Sequence, residues 1–211
     1  MNLRILRFFF KRKGTYFPRN YYYERLFEKY TDATSYLSIV ASVQSKQNIV
    51  SQRLISFNKN EFKNTTKQDV YKQYGKPNYQ IKTNKVLKTE LFFYRVFIGG
   101  HRVKLDLHFY NNSLFFYSYT FSYLREDEKY QIVNLIEKKY LDEKPFDYNN
   151  FVIIDGKQSI INIIDSMDFT INYICCITSS IFQRVETAIS NEKLAAAKKQ
   201  KMVADELFQK L

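Results

Sequence analysis

The sequence predicts an α+β fold made of two tandem units, each a helix followed by an antiparallel meander. Two observations support this fold class. A helical pattern is followed by strand-like runs with short turns twice along the chain, and the clearest of these runs alternates apolar and polar residues. Hydrophobic residues make up 45% of the 211 residues, which is enough for a packed core. We therefore predict a two-layer protein with an N-terminal helical region and a long C-terminal helix.

These patterns divide the chain into four segments. The predicted segments are a basic aromatic arm and helical region at residues 1–52, a first helix-plus-antiparallel-sheet unit at 53–124, a second helix-plus-sheet unit at 125–178 and a C-terminal helix at 179–211. Within the first segment, apolar residues at loosely helical spacing predict a helix over residues 23–52. The short apolar piece at residues 54–57 is open to two interpretations, a strand or the start of the next element.

The first unit begins with a short helix that has clear start and stop signals. Thr65 and Thr66 are candidate capping residues, and Asp69 follows Thr66 three positions later, as in a capping box. Gly75 can adopt the positive φ that ends a helix, and Pro77 prevents the helix from continuing. A helix of about two turns is therefore expected before Gly75.

Three strand-like runs follow, at residues 91–98, 101–110 and 114–123. The turn at residues 99–100 is a glycine pair, and it lacks the further glycines and the Lys-Ser/Thr of a phosphate-binding loop. In the middle run, apolar and polar residues alternate, which predicts one buried face and one face in solvent. The polar row, which we predict to be a partner-binding surface, consists of Arg102, Lys104, Asp106, His108 and Tyr110.

The second unit repeats this order. A helix is predicted from Glu126, because acidic residues open it and Lys138 and Lys139 close it, as the helix dipole favours. Strands are predicted at residues 151–155, 159–164 and 169–177. The last segment has no Gly or Pro, so a long helix is expected, with its first half docked on the sheet and its second half exposed. An oligomer contact through that helix is possible.

Three stretches carry a family resemblance: KQDVYKQYGKP at residues 67–77, LFFY at 91–94 and LHFYNNSL at 107–114. Together they resemble the SmpA/OmlA (BamE-like) family, and the repeated order is similar to the tandem layout of the β-lactamase-inhibitor protein fold. The resemblance covers residues 57–123 by motif and 125–176 by element order alone. It implies a non-enzymatic adaptor or inhibitor that binds proteins through its sheet or loops.

The charge of the chain indicates a second class of partner. There are 33 Lys and Arg against 21 Asp and Glu, a formal charge of +12. Basic residues without any acidic residue are concentrated in the first 23 positions and alternate with Phe and Tyr, the mixture that contacts nucleic acid or an anionic membrane. The predicted contacts of this arm are Arg4, Arg7, Lys11, Arg12, Lys13 and Arg19. The alternative is that the aromatics pack on the domain and the charges are solvated.

The residues that could carry chemistry favour structural roles. His101 and His108 are seven positions apart on one strand, so they point to opposite faces and cannot share a metal. Adjacent Cys175 and Cys176 are expected to be buried, reduced thiols on opposite faces of a strand. Six carboxylates fall in loops of the second half and match no calcium-binding spacing; turn formation explains them better. They are Asp142, Glu143, Asp147, Asp155, Asp165 and Asp168.

These observations favour a protein that acts by binding a partner. No catalytic site, cofactor or metal is predicted, although groups distant in sequence could still form a site in the fold. The basic N-terminus lacks the apolar core of an export signal, and no stretch reaches the roughly 20 apolar residues of a membrane-spanning helix. We therefore expect a cytoplasmic, non-enzymatic protein-binding module, with nucleic acid or anionic membrane as the alternative partner of the arm.

Overall fold

The computed structural model describes residues 24, 26–30, 34–81, 87–176 and 179–210. Its α-helices are α1 (Thr34–Gln44), α2 (Lys67–Tyr74), α3 (Glu126–Tyr140) and α4 (Ser180–Lys210), with a 3-10 helix at Phe62–Asn64. Its strands are β1 (Gln47–Val50), β2 (Tyr79–Ile81), β3 (Thr89–Ile98), β4 (His101–Tyr110), β5 (Ser113–Ser122), β6 (Phe151–Ile154), β7 (Ile160–Asp165) and β8 (Asp168–Ile174). The predicted α+β class is confirmed.

All eight strands belong to one sheet, in the order β1-β6-β7-β8-β5-β4-β3-β2. The two predicted meanders, β3-β4-β5 and β6-β7-β8, meet where β5 pairs antiparallel with β8. Only the β1–β6 pair is parallel among the described strands. The predicted order of helix and meander therefore occurs twice, but the strands form one continuous sheet, and a division into two tandem units stays a prediction.

Both faces of the sheet are covered by helices. On one face, Val70 of α2 and Val133 of α3 belong to a core with the inward side chains of the meanders. On the other face, Val40 of α1 and Val185 of α4 belong to a second core, together with Tyr30 from a helical turn at residues 26–30. The predicted two layers are therefore three, because the chain before and after the meanders returns to the face that was expected to be open.

The local signals of the first unit act as predicted. The Thr66 side chain accepts a hydrogen bond from the Asp69 backbone N–H, and the Asp69 carboxylate accepts one from the Thr66 N–H, which completes the capping box. Gly75 ends α2 with a φ of 71°. The β4–β5 turn at Asn111 and Asn112 has φ of 48° and 66°, the left-handed pair of a type I′ hairpin that Asn tolerates well.

The helix predicted over residues 23–52 is wrong in its second part. Helix α1 ends at Gln44, and Gln47–Val50 is an edge strand that pairs in parallel with β6. This strand has four residues and no regular alternation, and its partner lies about a hundred residues later in the chain. Helix α4 agrees with its prediction: Ile181, Val185 and Ile189 are buried, whereas Leu194 and Phe208 are exposed.

Candidate functional site

The alternate residues of β4 that were predicted to bind a partner lie on the face that carries α1 and α4. Strand register extends each of them into a row that crosses the sheet. The row through Lys104 consists of Arg95, Lys104, Thr120, Thr170 and Ile164. The next row, through Asp106, consists of Phe93, Asp106, Ser118, Asn172 and Asn162. The burial of each β4 residue therefore indicates whether its row of the sheet face is covered or exposed.

Two of the five predicted partner-binding residues are buried, which corrects the prediction that the row faces solvent. Asp106 is 7% exposed and His108 is 0% exposed. The helical turn at 26–30 lies over them, since the Tyr30 hydroxyl donates to Oδ2 of Asp106 at 3.4 Å and the Tyr30 ring contacts the His108 ring edge-on. Neither side chain can touch a partner while this turn stays in place.

His108 is enclosed by aromatic rings. Its Nδ1 shares a hydrogen bond of 2.8 Å with the Tyr36 hydroxyl, and the rings of Phe115 and Phe116 contact it edge-on. Its Nε2 is buried without a hydrogen-bond partner among the described residues. Loss of hydration, followed by the nearby charge of Lys29, lowers the pKa of His108 well below 6.5. The ring is therefore a neutral part of the core.

Asp106 is a buried acid with one described donor. Burial raises its pKa from 3.8 to about 6, against the smaller opposing influences of Lys29, the Tyr30 hydroxyl and Lys104. A carboxylate in this position stays ionised at neutral pH only at an energetic cost. Asp106 is therefore a buried residue that packs beneath the helical turn at 26–30, and it is not part of an exposed surface.

Helix α1 is fixed over the same buried row by a lysine near its end. Nζ of Lys46 donates to the Tyr148 and Ile163 carbonyls and to the Asn162 side chain, at 2.7, 2.9 and 2.9 Å. Nδ2 of Asn162 in turn donates to Oγ of Ser42 at 3.0 Å. Partial burial of Lys46 lowers its pKa, partly offset by Asp147. Polar residues of this row thus bind the covering helix.

The sheet face opens beyond that buried row. Lys104 is half-buried and pairs with Asp168 at 3.1 Å, and the Thr170 hydroxyl donates to Thr120 at 3.3 Å. Arg102, one row further, is exposed and lies over the Phe97 ring, with its guanidinium carbon 5.6 Å from the ring centroid. Arg102 and Lys104 are thus the predicted residues that a partner can reach.

Large apolar side chains are exposed around the same end of the sheet, which sequence reasoning missed. Phe97 is 72% exposed, Tyr123 96% and Met167 96%. They lie at the same end of the sheet because β3 ends where β4 begins, and β5 ends where β8 begins. We call this surface the open end of the sheet, and it consists of Arg95, Phe97, Arg102, Lys104, Tyr123 and Met167. The sequence signal that could have indicated this surface is the apolar pair Phe97-Ile98 directly before the Gly99-Gly100 turn.

The other predicted contact residues lie elsewhere. Tyr110 is half-buried at the opposite end of β4, against the core beneath α1 and α4. The six basic residues of the arm, from Arg4 to Arg19, lie outside the described residues. His101 lies on the face opposite His108, as predicted, with Nε2 4.0 Å from Oε1 of Glu128. The two histidines do not form a common site.

Five of the six carboxylates predicted in loops make turn or ion-pair contacts, but Asp165 ends β7 and Asp168 begins β8, so these two lie in strands. Asp155 is buried and accepts hydrogen bonds from the backbone N–H groups of Ile55, Lys157 and Ser159. Asp165 binds Lys129 at 2.9 Å. Across the described ranges, no group of three or more His, Cys, Asp or Glu side chains could hold a metal ion. Asp155 is therefore explained by the turn it stabilises.

The two cysteines differ from their prediction. Neither is in a disulfide, both are half-buried, and both line one cavity of about 400 Å³ beside Lys157 and Ser159. The strand ends at Ile174, so they follow it and do not alternate across the sheet. Sequence reasoning placed the strand end three residues too late.

Searches with the whole sequence and fold find no relatives. No family model, no curated protein and no solved structure matches this chain. Among the described helices, none combines the length and apolar character needed to cross a membrane. The candidate site is therefore argued from the geometry of the open end alone.

Proposed function

We propose that this protein is a non-enzymatic protein-binding module that recognises an acidic protein surface with the open end of its sheet. The observation that supports this most strongly is the exposure of three large apolar side chains, Phe97, Tyr123 and Met167, around one end of a sheet whose remaining surface is largely covered. Clustered exposed apolar side chains on a folded protein are typical of interaction sites.

The chemical composition of the open end also supports a protein partner. Aromatic residues, Met and Arg are the types enriched in interface cores. Phe97 and Arg102 combine two of these types in one contact, because the guanidinium lies over the ring. Arg is among the residue types enriched in energetic hot spots.

The charge of the open end selects the class of partner. Arg95, Arg102 and Lys104 contribute three positive charges to the open end, and Lys104 pairs with Asp168 at 3.1 Å. An acidic partner would gain association rate and orientation from this excess, and binding would weaken with salt. The resemblance to BamE-like adaptors is compatible with this role and stays a prediction.

The test is capture of partners by the full chain from the native cell, compared with capture by variants. Arg102→Glu and Lys104→Glu together, and Phe97→Ala separately, should each lower the affinity for a specifically captured acidic protein by about thirtyfold, the size of a hot-spot loss. The binding constant of the purified pair, by calorimetry at two salt concentrations, is the measurement. The charge-matched control is Lys138→Glu and Lys139→Glu together, two exposed lysines of α3, which covers the other face.

Unchanged affinity in both open-end variants, with their thermal melting intact, would remove the open end as the site. Equal loss in the double variant Lys138→Glu and Lys139→Glu would show a nonspecific effect of net charge. A partner whose binding depends on the open end but does not weaken with salt would contradict the acidic-partner assignment while leaving the surface itself supported.

The basic aromatic arm favours a second candidate function, contact with nucleic acid or an anionic membrane. Its support is the sequence, six cations and no acid among 23 residues. Deletion of residues 2–13 should then abolish retention on heparin, and retention should fall steeply with salt in the intact chain. Retention that survives the deletion would remove this candidate.

A further inference from the structure

A groove with an unusual charge lies on the face opposite the open end. It runs between α3 and the segment 145–151, with a cavity volume of about 770 Å³. Its floor is apolar and includes Val133, Phe146 and Phe151, and the ring of Tyr130, 68% exposed, forms part of its rim. A cavity of this size with an apolar floor can hold several side chains of a ligand.

The charged groups that line the groove are mainly acidic. Three carboxylates, those of Glu126, Glu137 and Asp147, line it with a single cation, Lys129. Lys129 is already bound to Glu126 at 2.8 Å and to Asp165 at 2.9 Å, so it does not neutralise the other acids. The groove is thus a negative site in a chain whose formal charge is +12.

Hydrogen bonds fix two of these carboxylates in place. Oε1 of Glu137 accepts from the Phe146 N–H at 2.6 Å, and Asp147 accepts from the Asn149 N–H at 3.0 Å. The second oxygen of Asp147 accepts a hydrogen bond from the Asn150 side-chain amide at 2.6 Å, so both carboxylates are held in position before any ligand binds. A fitting ligand therefore presents cations together with aromatic or aliphatic side chains.

The chain itself contains a segment with this chemistry. Residues 4–23 hold six Arg and Lys, no acid, and several Phe and Tyr. An extended chain covers about 3.3 Å per residue, so twenty residues reach roughly 65 Å. A folded chain of this size has a radius of gyration of about 17 Å, so the segment can pass from one face to the other. We propose that the groove is the docking site for basic and aromatic side chains of segment 4–23 of the same chain.

Trypsin tests this proposal in the full chain, because all six cations of the arm are cleavage sites. Docked arm residues are cleaved only when they are released, so the cleavage rate measures the free fraction. Glu126→Lys and Tyr130→Ala should each raise the initial rate of cleavage after residues 4–19 by about tenfold, followed by mass spectrometry. Both residues are exposed, so the fold should be retained.

The controls lie on the same helix. Asp127→Lys makes the same charge change one position from Glu126, and Leu135→Ala removes a side chain as exposed as Tyr130, 67% against 68%; neither residue lines the groove. Both controls should cleave at the native rate. Equal rates in all variants would overturn the proposal and leave the arm to the contacts predicted from its sequence. Cleavage that slows as protein concentration rises, with a dimer in light scattering, would overturn docking within one chain.

Discussion

Strand β4 places four polar residues on one face, and they differ in how far they are exposed to solvent. Arg102 is exposed and Lys104 half-buried, whereas Asp106 and His108 are enclosed beneath the helical turn at 26–30 and α1. The two pairs occupy successive alternate positions of one strand and lie on the same side of the sheet. Alternation in a strand therefore identifies the side on which a residue lies, but not whether that side is covered.

The covering elements explain the difference. They come from residues 26–44 and from α4, which precede and follow the meanders by many positions, and they cover the end of the face where Leu91 and Ile174 lie. At that end the face is apolar, and at the other end it carries Arg and Thr. The boundary runs through the row of Asp106, where buried polar side chains bind the helices. The two halves should therefore respond differently to the same substitution.

The largest contrast is expected for two phenylalanines of this face. Phe116 is 1% exposed beneath the helices, and Phe97 is 72% exposed at the open end. Phe116→Ala should lower the free energy of unfolding by about 3–5 kcal/mol, because it leaves a cavity in the core. Phe97→Ala should change it by less than about 0.5 kcal/mol. Urea denaturation followed by circular dichroism measures both.

Similar losses in the two variants would show that the open end is covered in solution. In that case, the partner-binding proposal would lose its surface. A small loss at Phe116 would instead show that the helices contribute little to the core of this face.

The next largest effect is the pH dependence that Asp106 gives to the free energy of unfolding. Its folded pKa of about 6 exceeds 3.8, so the folded state binds the proton more tightly. This favourable contribution is complete below pH 3.8 and is lost as pH rises through about 6. Asp106→Asn should therefore raise the free energy of unfolding at neutral pH, by at most about 3 kcal/mol, and have no such effect in acid.

His108 has the opposite sign. Its folded pKa is lowered below 6.5, so its contribution is complete above pH 6.5 and is lost as pH falls toward the lowered folded value. In Asp106→Asn, this dependence is no longer offset, and stability should rise more steeply between acid and neutral pH than in the native chain. Urea melts across that range measure the difference. A constant difference at every pH would contradict the assignment, and exposed Asp127→Asn is the control.

Much of the fold can be predicted from short-range signals. The capping box of α2, the Asn turn after β4 and the charges at the ends of α3 are local, and the elements they bound agree with the predictions. Strand β1 could not be predicted, because a four-residue edge strand is defined by its parallel partner, β6. Packing over the second face was likewise absent from any local pattern.

The candidate site follows the same division. Arg102 and Lys104 were correctly expected at the surface from alternation alone. Asp106 and His108 were misplaced, since their burial depends on Tyr30 and Tyr36, more than seventy residues earlier. Met167 and Tyr123 become part of one surface with Phe97 only through strand register, a long-range property.

A smaller effect is expected from the polar contact that closes over His108. Tyr36→Phe removes the hydroxyl that shares a 2.8 Å hydrogen bond with Nδ1 of His108 and leaves that nitrogen buried without this partner. The expected loss in unfolding free energy is about 1–3 kcal/mol. Tyr123→Phe, at a side chain that is 96% exposed, is the matched control and should be nearly neutral. Equal values would mean that water reaches His108.

The smallest effect is expected from the ion pair of the open end. Lys104 and Asp168 are 3.1 Å apart, with side chains 35% and 34% exposed, so solvent screens them. A double-mutant cycle with Lys104→Ala and Asp168→Ala should give a coupling of about 0.2–1 kcal/mol that declines with salt. A larger, salt-independent coupling would mean that this end of the sheet is shielded from water. A small value would show that the Lys104–Asp168 pair contributes little to stability, as expected for a residue whose role is to contact a partner.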